Sequence, residues 1–328
     1  MGVPTADANQ LKDWSADFAE VLGNFQHNPD RASRTLKCVE EMTSYFRDAI
    51  SYVKDKPAQG LINALLTAEI DGDRLTEEEI IANCIVTMVG GQETTTNLIG
   101  NGVLSLLRHP DQMERLRNDL TLIPSAVEEL LRFESPSQHT ARICPEDTEL
   151  GGKLIRKGQA VIAVMAAGNR DLERFADPDR RDVGRTDNRH LAFGWASHFC
   201  FGAPLARIEG QLAFEALMRR TSNLALEPGP LVWRDNLGLR GLTALPVTFA
   251  EVQAPLDSST RRRTCRWREP LSFSPVCLRF AESAGQPPAP TVIGESCKNI
   301  LQQRRQTRVY RTFPRPNGPC WKSICAAS

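Results

Sequence analysis

Phe193-Gly194-Trp195-Ala196-Ser197-His198-Phe199-Cys200-Phe201-Gly202 is the stretch on which the reading of this chain turns. It is apolar and carries two glycines. It sets one cysteine in a loop directly before Ala203 to Ser222, where Leu205, Ile208, Leu212, Leu217 and Met218 form the apolar face of an amphipathic helix. A cysteine in that position meets backbone N–H groups and the positive end of a helix dipole, and both favour a thiolate. For an isolated cysteine the ordinary reading is a buried free thiol. The surroundings must decide between the two.

Upstream, residues 168 to 190 are polar, rich in Arg and Asp and without periodicity; a loop of that length inside a domain is usually functional or disordered. Residues 138 to 164 read as strands and turns: a run to Ile143, a turn at Gly151-Gly152, then Ala160 to Val164. Pro124 opens a helix that runs through Val127, Leu130 and Leu131 to Phe133, and Asp111 to Asp119 is a short exposed helix. Before them lies the longest pattern. Thr76-Glu77-Glu78-Glu79 has the form of a capping box, and apolar residues then recur from Ile80 to Leu107, up to His109-Pro110. Such a helix is apolar on several faces and should run through the core. Gly90-Gly91 weakens its centre, at roughly 1 kcal/mol per glycine relative to alanine. Residues 8 to 27 and 31 to 53 read as two further helices separated by Asn28-Pro29-Asp30, and Leu61 to Ile70 keeps a helical spacing up to the turn Asp71-Gly72-Asp73. Downstream, two short strands are expected around Leu237 to Phe249.

The 328 residues carry 40 basic and 40 acidic side chains, but unevenly. From Gln253 onward there are 13 basic and 4 acidic residues, which leaves 27 and 36 in the body, a net of −9. The same tail holds five of nine cysteines and nine of 21 prolines, with Arg261-Arg262-Arg263 and Pro287-Pro288-Ala289-Pro290. This shift predicts a boundary, with a body over 1–252 and a disordered basic tail over 253–328. Cys277, Cys297, Cys320 and Cys325 lack paired C-x-x-C spacing, which argues against a zinc site. The acidic body argues against nucleic acid as the main partner. The first residues lack the pattern of a secretory signal, and no stretch approaches a membrane span; a cytoplasmic protein is expected.

Four motifs, taken together, resemble the cytochrome P450 family. The loop matches the family's haem loop: Phe193, six residues, Cys200, one residue, Gly202, with His198 two before the cysteine. The family usually has Gly where this chain has Ala196; if that site needs a positive φ, Ala costs on the order of 1 kcal/mol. Gly90-Gly91-Gln92-Glu93-Thr94-Thr95 is similar to the oxygen-activation segment, where glycines let the helix open and an acid-alcohol pair relays protons; by itself it reads equally as a kink with a solvated Glu. Glu129-Leu130-Leu131-Arg132 resembles the family's Glu-x-x-Arg, although a bare i, i+3 pair is usually a surface salt bridge. Its third member in the family is an Arg of the irregular loop, best matched here by Arg180 in Asp177-Pro178-Asp179-Arg180; Arg185 also fits the loop pattern. Arg181 replaces the family's usual Phe and should weaken the packing of that loop. His139-Thr140-Ala141-Arg142 resembles the strand whose Arg pairs with a haem propionate, a part shared by His198, while His190 has no role in the pattern.

The resemblance spans about 60 to 250 and more loosely 3 to 59. It implies a mainly α fold with small β-sheets and haem b held through Cys200, the metal ligand. Gly90, Gly91, Arg142, Phe193, His198 and Gly202 should touch the cofactor. Glu93 and Thr94 should deliver protons, and Glu129, Arg132 and Arg180 should form a structural triad. The implied activity is a monooxygenase that inserts one atom of O2 into a hydrophobic small molecule. Electrons should come from NAD(P)H through a ferredoxin or flavodoxin type donor. Val89, Gly90, Ser137 to Thr140 and Leu237 to Leu239 are the expected substrate contacts. The family segments that normally precede residue 1, including most of the main sheet, are missing, so the alternative is an inactive fragment of such an enzyme that holds haem weakly.

Overall fold

The computed structural model describes residues 1–22, 29–57 and 59–251. The tail from 253, with its cysteines, lies outside the described residues. The expected fold class holds: helices dominate, and every sheet is a two-stranded antiparallel pair. The chain divides into two compact units. Met1–Thr95 and Ala196–Glu209 belong to the first, Thr96–Trp195 and the chain from Gly210 to the second.

In the first unit, α1 (Ala8–Leu22) packs on α2 (Pro29–Asp55). Pro29 lies inside α2 instead of in the separating turn, because a proline in the first turn gives up an N–H that the helix does not use. Met42, Phe46 and Ile50 fall on one face of α2 and meet Leu11 and Trp14, while the Trp14 Nε1–H donates to Glu41 at 2.8 Å. The short α3 (Leu61–Thr67) closes on the same core through Ile62 and Leu65. The hairpin of β1 (Glu69–Ile70) and β2 (Asp73–Arg74) replaces the last part of the expected helical run. Asp71 and Gly72 both have positive φ, 51° and 77°, the combination a tight hairpin needs. The capping box forms as expected: Thr76 N–H donates to the Glu79 carboxylate at 2.9 Å and Glu79 N–H donates to Thr76 Oγ1 at 3.3 Å. It opens α4 (Glu77–Leu107), whose first half buries Ile81, Cys84, Ile85 and Met88 in this core.

The second unit begins within α4. Leu98 and Leu106 join Leu116 of α5 (Pro110–Asn118) and Val127 and Leu130 of α6 (Ile123–Phe133) in a second core. A β-carbon at Gly102 would lie 2.4 Å from Phe214 Cζ, so only glycine allows that approach. β3 (Thr140–Ile143) pairs with β6 (Ala160–Ala163), and β4 (Thr148–Leu150) with β5 (Lys153–Ile155), turned by Gly151 and Gly152. The single turn α7 (Met165–Gly168) leads into the long loop, which is tied down throughout: Ser125 Oγ donates to the Val183 carbonyl at 2.7 Å and Arg115 pairs with Asp182 at 2.7 Å. Of α8 (Ala203–Arg220), the residues from Gly210 belong here. β7 (Thr221–Leu226) follows it without a break and pairs with β8 (Val247–Glu251). The expected strand near Leu237 is instead two isolated bridges, Ser137 to Leu239 and Trp233 to Leu242.

Candidate haem-thiolate site

Within the first unit, Ala196–His198 forms one 3-10 turn, and Phe199 N–H closes it on the Ala196 carbonyl at 3.0 Å. Ala196 has φ 56°, the left-handed region that suits glycine. Cys200 is a free cysteine and is exposed, as are His198 and Phe199 beside it. Its carbonyl accepts from Ala203 N–H at 3.2 Å as α8 begins. A β-carbon at Gly202 would stand 3.7 Å from Cys200 Sγ. Phe201 turns the other way and packs on the first core. Desolvation pushes the Cys200 thiol up; the N–H groups of Gly202 and Ala203 and the charge of Arg207 pull it down by less. Desolvation therefore works against the thiolate that the loop and the helix dipole favour.

In the same unit, Gly90 and Gly91 are exposed on α4, and a β-carbon on either would meet nothing within 4 Å. Thr94 Oγ1 donates to the Gly90 carbonyl at 2.5 Å. Glu93 is 5% exposed and Thr95 2%. Glu209 on α8 is half-buried; desolvation pushes its carboxyl up to about 7, and the Thr95 hydroxyl pulls it down by less. The sequence reading missed Glu209; a carboxylate among the inward positions of an amphipathic helix was the available signal. Val89, expected at the substrate, lies in the apolar core at 3% exposure.

In the second unit the Glu129–Arg132 pair is fully buried and doubly bonded, Nε to Oε2 at 2.7 Å and Nη2 to Oε1 at 2.8 Å. Arg132 Nη1 donates to the carbonyls of Asn169 and Pro178 at 2.8 and 2.9 Å. The loop arginine that reaches Glu129 is Arg185, with Nε 3.2 Å from Oε2; Arg180 is exposed, and its carbonyl accepts from Arg185 Nη2 at 3.2 Å. The assignment of Arg180 to the triad is thus corrected to Arg185. The loop doubles back, and the guanidinium of Arg185 spans the carbonyls of Ala176, Asp177 and Arg180 while facing Glu129. Asp182 N–H and Asn188 Nδ2 complete the shell of Glu129.

Arg181 is 2% exposed and stacks on the Phe133 ring at 3.9 Å, with Arg170 on that ring at 3.6 Å. None of its three guanidinium nitrogens has a hydrogen-bond partner, and burial depresses it to about 10. The substitution for Phe leaves the loop packed but buries a charge. His190 is structural: Ala192 N–H donates to Nδ1 at 3.2 Å, so the proton sits on Nε2, 3.2 Å from Glu128. Phe193 packs on the second core. Arg142 is exposed, its Nη1 on Thr140 Oγ1 and the Ala141 carbonyl, both at 2.7 Å. Thus the structure gathers Gly90, Gly91, Glu93, Thr94, His198, Cys200 and Gly202 in one unit and Arg142, Phe193 and the Glu129 network in the other.

The Cytochrome P450 family model matches residues 16–229, which include the cysteine loop, the α4 segment and the Glu129 network. The chain belongs to the cytochrome P450 family. It is 41% identical over 249 residues to the biotin biosynthesis cytochrome P450 of Bacillus subtilis (strain 168), an alignment covering 76% of this chain and 62% of that protein. It is 42% identical over 253 residues to the monooxygenase PikC of Streptomyces venezuelae, covering 76% and 59%. Among solved structures, P450BioI in complex with an acyl carrier protein ligated to hexadec-9Z-enoic acid matches with a TM-score of 0.72 at 41% identity, over 76% of this chain and 64% of that one. CYP109E1 from Bacillus megaterium in complex with corticosterone matches with a TM-score of 0.68 at 36% identity, over 75% and 66%. The chain spans about 60% of the length of the curated relatives it matches.

The family implies a haem iron, and the cysteine loop suits one. An exposed free sulfur, N–H groups donating toward it, and no side chain at Gly202 together form a single-thiolate donor site. Among the described residues no helix is long and apolar enough to cross a membrane.

Proposed function

We propose that this chain carries the haem-thiolate centre of a monooxygenase acting on a hydrophobic small molecule. The observation that carries the reading is Cys200, an exposed free cysteine at the head of α8 whose thiol the Gly202 and Ala203 amides and Arg207 pull toward the thiolate, in the same unit as the Glu93–Thr94 turn. Haem iron, when bound, supplies dioxygen activation and oxygen-atom transfer. Cys200 would hold the iron as thiolate, and its electron donation favours O–O cleavage. Arg142 and His198 would pair with the propionates, with Phe193 beside the cofactor. Gly90 and Gly91 leave the face of α4 clear of side chains, and Thr94, whose hydroxyl rests on the Gly90 carbonyl, and the buried Glu93 would pass protons toward that face. The apolar ligands in the complexes of P450BioI and CYP109E1 support a hydrophobic substrate class, met by Ser137 to Thr140 and Leu237 to Leu239. Electrons would come from NAD(P)H through a ferredoxin or flavodoxin type protein in the cytoplasm.

Thr94→Ala tests the proton role. The variant should bind haem like the parent and divert more NAD(P)H to peroxide per product, measured with a surrogate reductase and ferredoxin. Unchanged coupling in an active preparation contradicts the assignment.

A further inference from the structure

We propose that Arg240 is a positioning residue that determines specificity: its guanidinium, paired with Glu134 and stacked on Trp233, sets the spacing of the two stretches that would wall the substrate, Ser137 to Thr140 and Leu237 to Leu239. The proposal deepens the monooxygenase reading and rests on it for the ligand.

The two stretches lie side by side in the second unit. Ser137 and Leu239 form an isolated antiparallel bridge, and Gln138 N–H donates to the Gly238 carbonyl at 2.8 Å. So short a ladder opens readily on its own. The loop that carries Leu237 to Leu239 is tied to itself. Trp233 bridges Leu242 at its base, where Arg234 N–H also donates to the Gly241 carbonyl at 2.9 Å. At its tip, Asn236 Oδ1 accepts from the N–H groups of Gly238 and Leu239 at 3.0 and 2.8 Å. A loop closed in this way moves as one piece, and its place is set by what it is anchored to.

Three anchors converge on Arg240. Its N–H donates to the Pro136 carbonyl at 2.8 Å, and its own carbonyl accepts from Asn101 Nδ2 of α4 at 2.9 Å. Its Nε–H donates to Glu134 Oε2 at 3.0 Å, and Glu134 caps the C-terminus of α6, the helix that holds Glu129 and Arg132. The guanidinium carbon also lies 3.8 Å from the centre of the Trp233 ring. The neighbouring residue must be glycine, because a β-carbon at Gly241 would collide with the Asn97 side chain of α4. The two backbone bonds would survive any side chain at 240. The ion pair and the stack belong to arginine, whose planar fork faces a carboxylate while lying on a ring; an ammonium does not combine the two. Arg240 thus refers one wall to the fixed frame of α6. Leu237 stands 61% exposed at the tip and Leu239 faces Ser137, so any shift of the loop moves apolar surface relative to Ser137 to Thr140. The side chain acts on which apolar shape is taken, not on the oxidation.

Two apolar probes of different shape test this on the full chain loaded with haem: hexadec-9Z-enoic acid, a flexible chain, and corticosterone, a rigid polycycle. The dissociation constant of each is read from the shift of the haem spectrum on titration, with haem content measured alongside. A purely structural loss weakens both probes together; a displaced wall changes their ratio. Arg240→Ala should move the ratio of the two constants about fivefold, and Glu134→Gln should move it in the same direction. The double variant should go little further than Arg240→Ala alone, because the two residues act through one contact. Arg240→Lys should recover only part of the parent ratio. Amide hydrogen exchange, which needs no haem, should show about fivefold less protection in Arg240→Ala on peptides covering 136–141 and 236–241. If Arg240→Ala does not fold, Glu134→Gln carries both comparisons. Parent protection in both variants, or an unchanged ratio where both probes bind, overturns the proposal and leaves the monooxygenase reading standing. A haem-loaded parent that shifts with neither probe overturns the hydrophobic-substrate reading, and the proposal with it.

Discussion

The Glu129 network and the Cys200 loop are both built around one polar group, and they are built in opposite ways. Glu129 and Arg132 are sealed from solvent with every contact supplied by the protein: Arg185, Asn188, two loop carbonyls and the Asp182 amide. Cys200 is exposed at the N-terminus of α8, with a strained Ala196 in its turn. A buried ion pair tolerates no missing partner, because the uncompensated charge costs more than the pair contributes. A cofactor loop must leave one partner out.

The sharpest way to break this contrast is to remove partners from the closed network one at a time. Glu129→Ala leaves Arg132 buried without its carboxylate and should cost about 3–5 kcal/mol, seen as insoluble or haem-free protein. Arg185→Ala should cost about 2 kcal/mol in denaturant unfolding, since Glu129 keeps Arg132. Arg180→Ala, on an exposed side chain, should stay within about 0.5 kcal/mol of the parent. Equal losses for Arg180 and Arg185 would mean that the loop is threaded differently.

Arg181 is the exception inside the closed region, a buried cation with no hydrogen-bond partner. Arg181→Met removes three unsatisfied donors and keeps much of the stack on Phe133. It should raise stability by about 1–3 kcal/mol. A loss of similar size would show that the charge is matched by Glu134 and Glu129 at longer range. On the open side, Ala196→Gly should stabilise by about 1 kcal/mol, because φ 56° is free for glycine alone. No change in the unfolding midpoint would place the turn in a different conformation.

Elements set by local chemistry were legible in the sequence. The capping box at Thr76 and the turns at Asp71-Gly72 and Gly151-Gly152 each depend on a few adjacent residues, and each formed where those residues stand, although the strand of Glu69–Ile70 leading into the first of them was read as helix. β7 was not legible. It follows α8 with no Gly or Pro to mark the change, and Asn223, at φ 53°, puts an irregularity between Ser222 and Ala225 that breaks its alternation. The Arg180–Arg185 choice was hidden for a different reason: in an aperiodic loop, spacing does not say which of five arginines between Arg170 and Arg185 turns inward. Thr95–Glu209 joins residues 114 positions apart, and no period connects them.

Ligation of haem iron by Cys200 is the central claim, and its most direct measurement is the spectrum of the purified chain after haem addition, reduction and exposure to carbon monoxide. The account predicts the long-wavelength Soret band for which the family is named, formed by the parent and absent in Cys200→Ser and Cys200→His. A band that survives either substitution would contradict it.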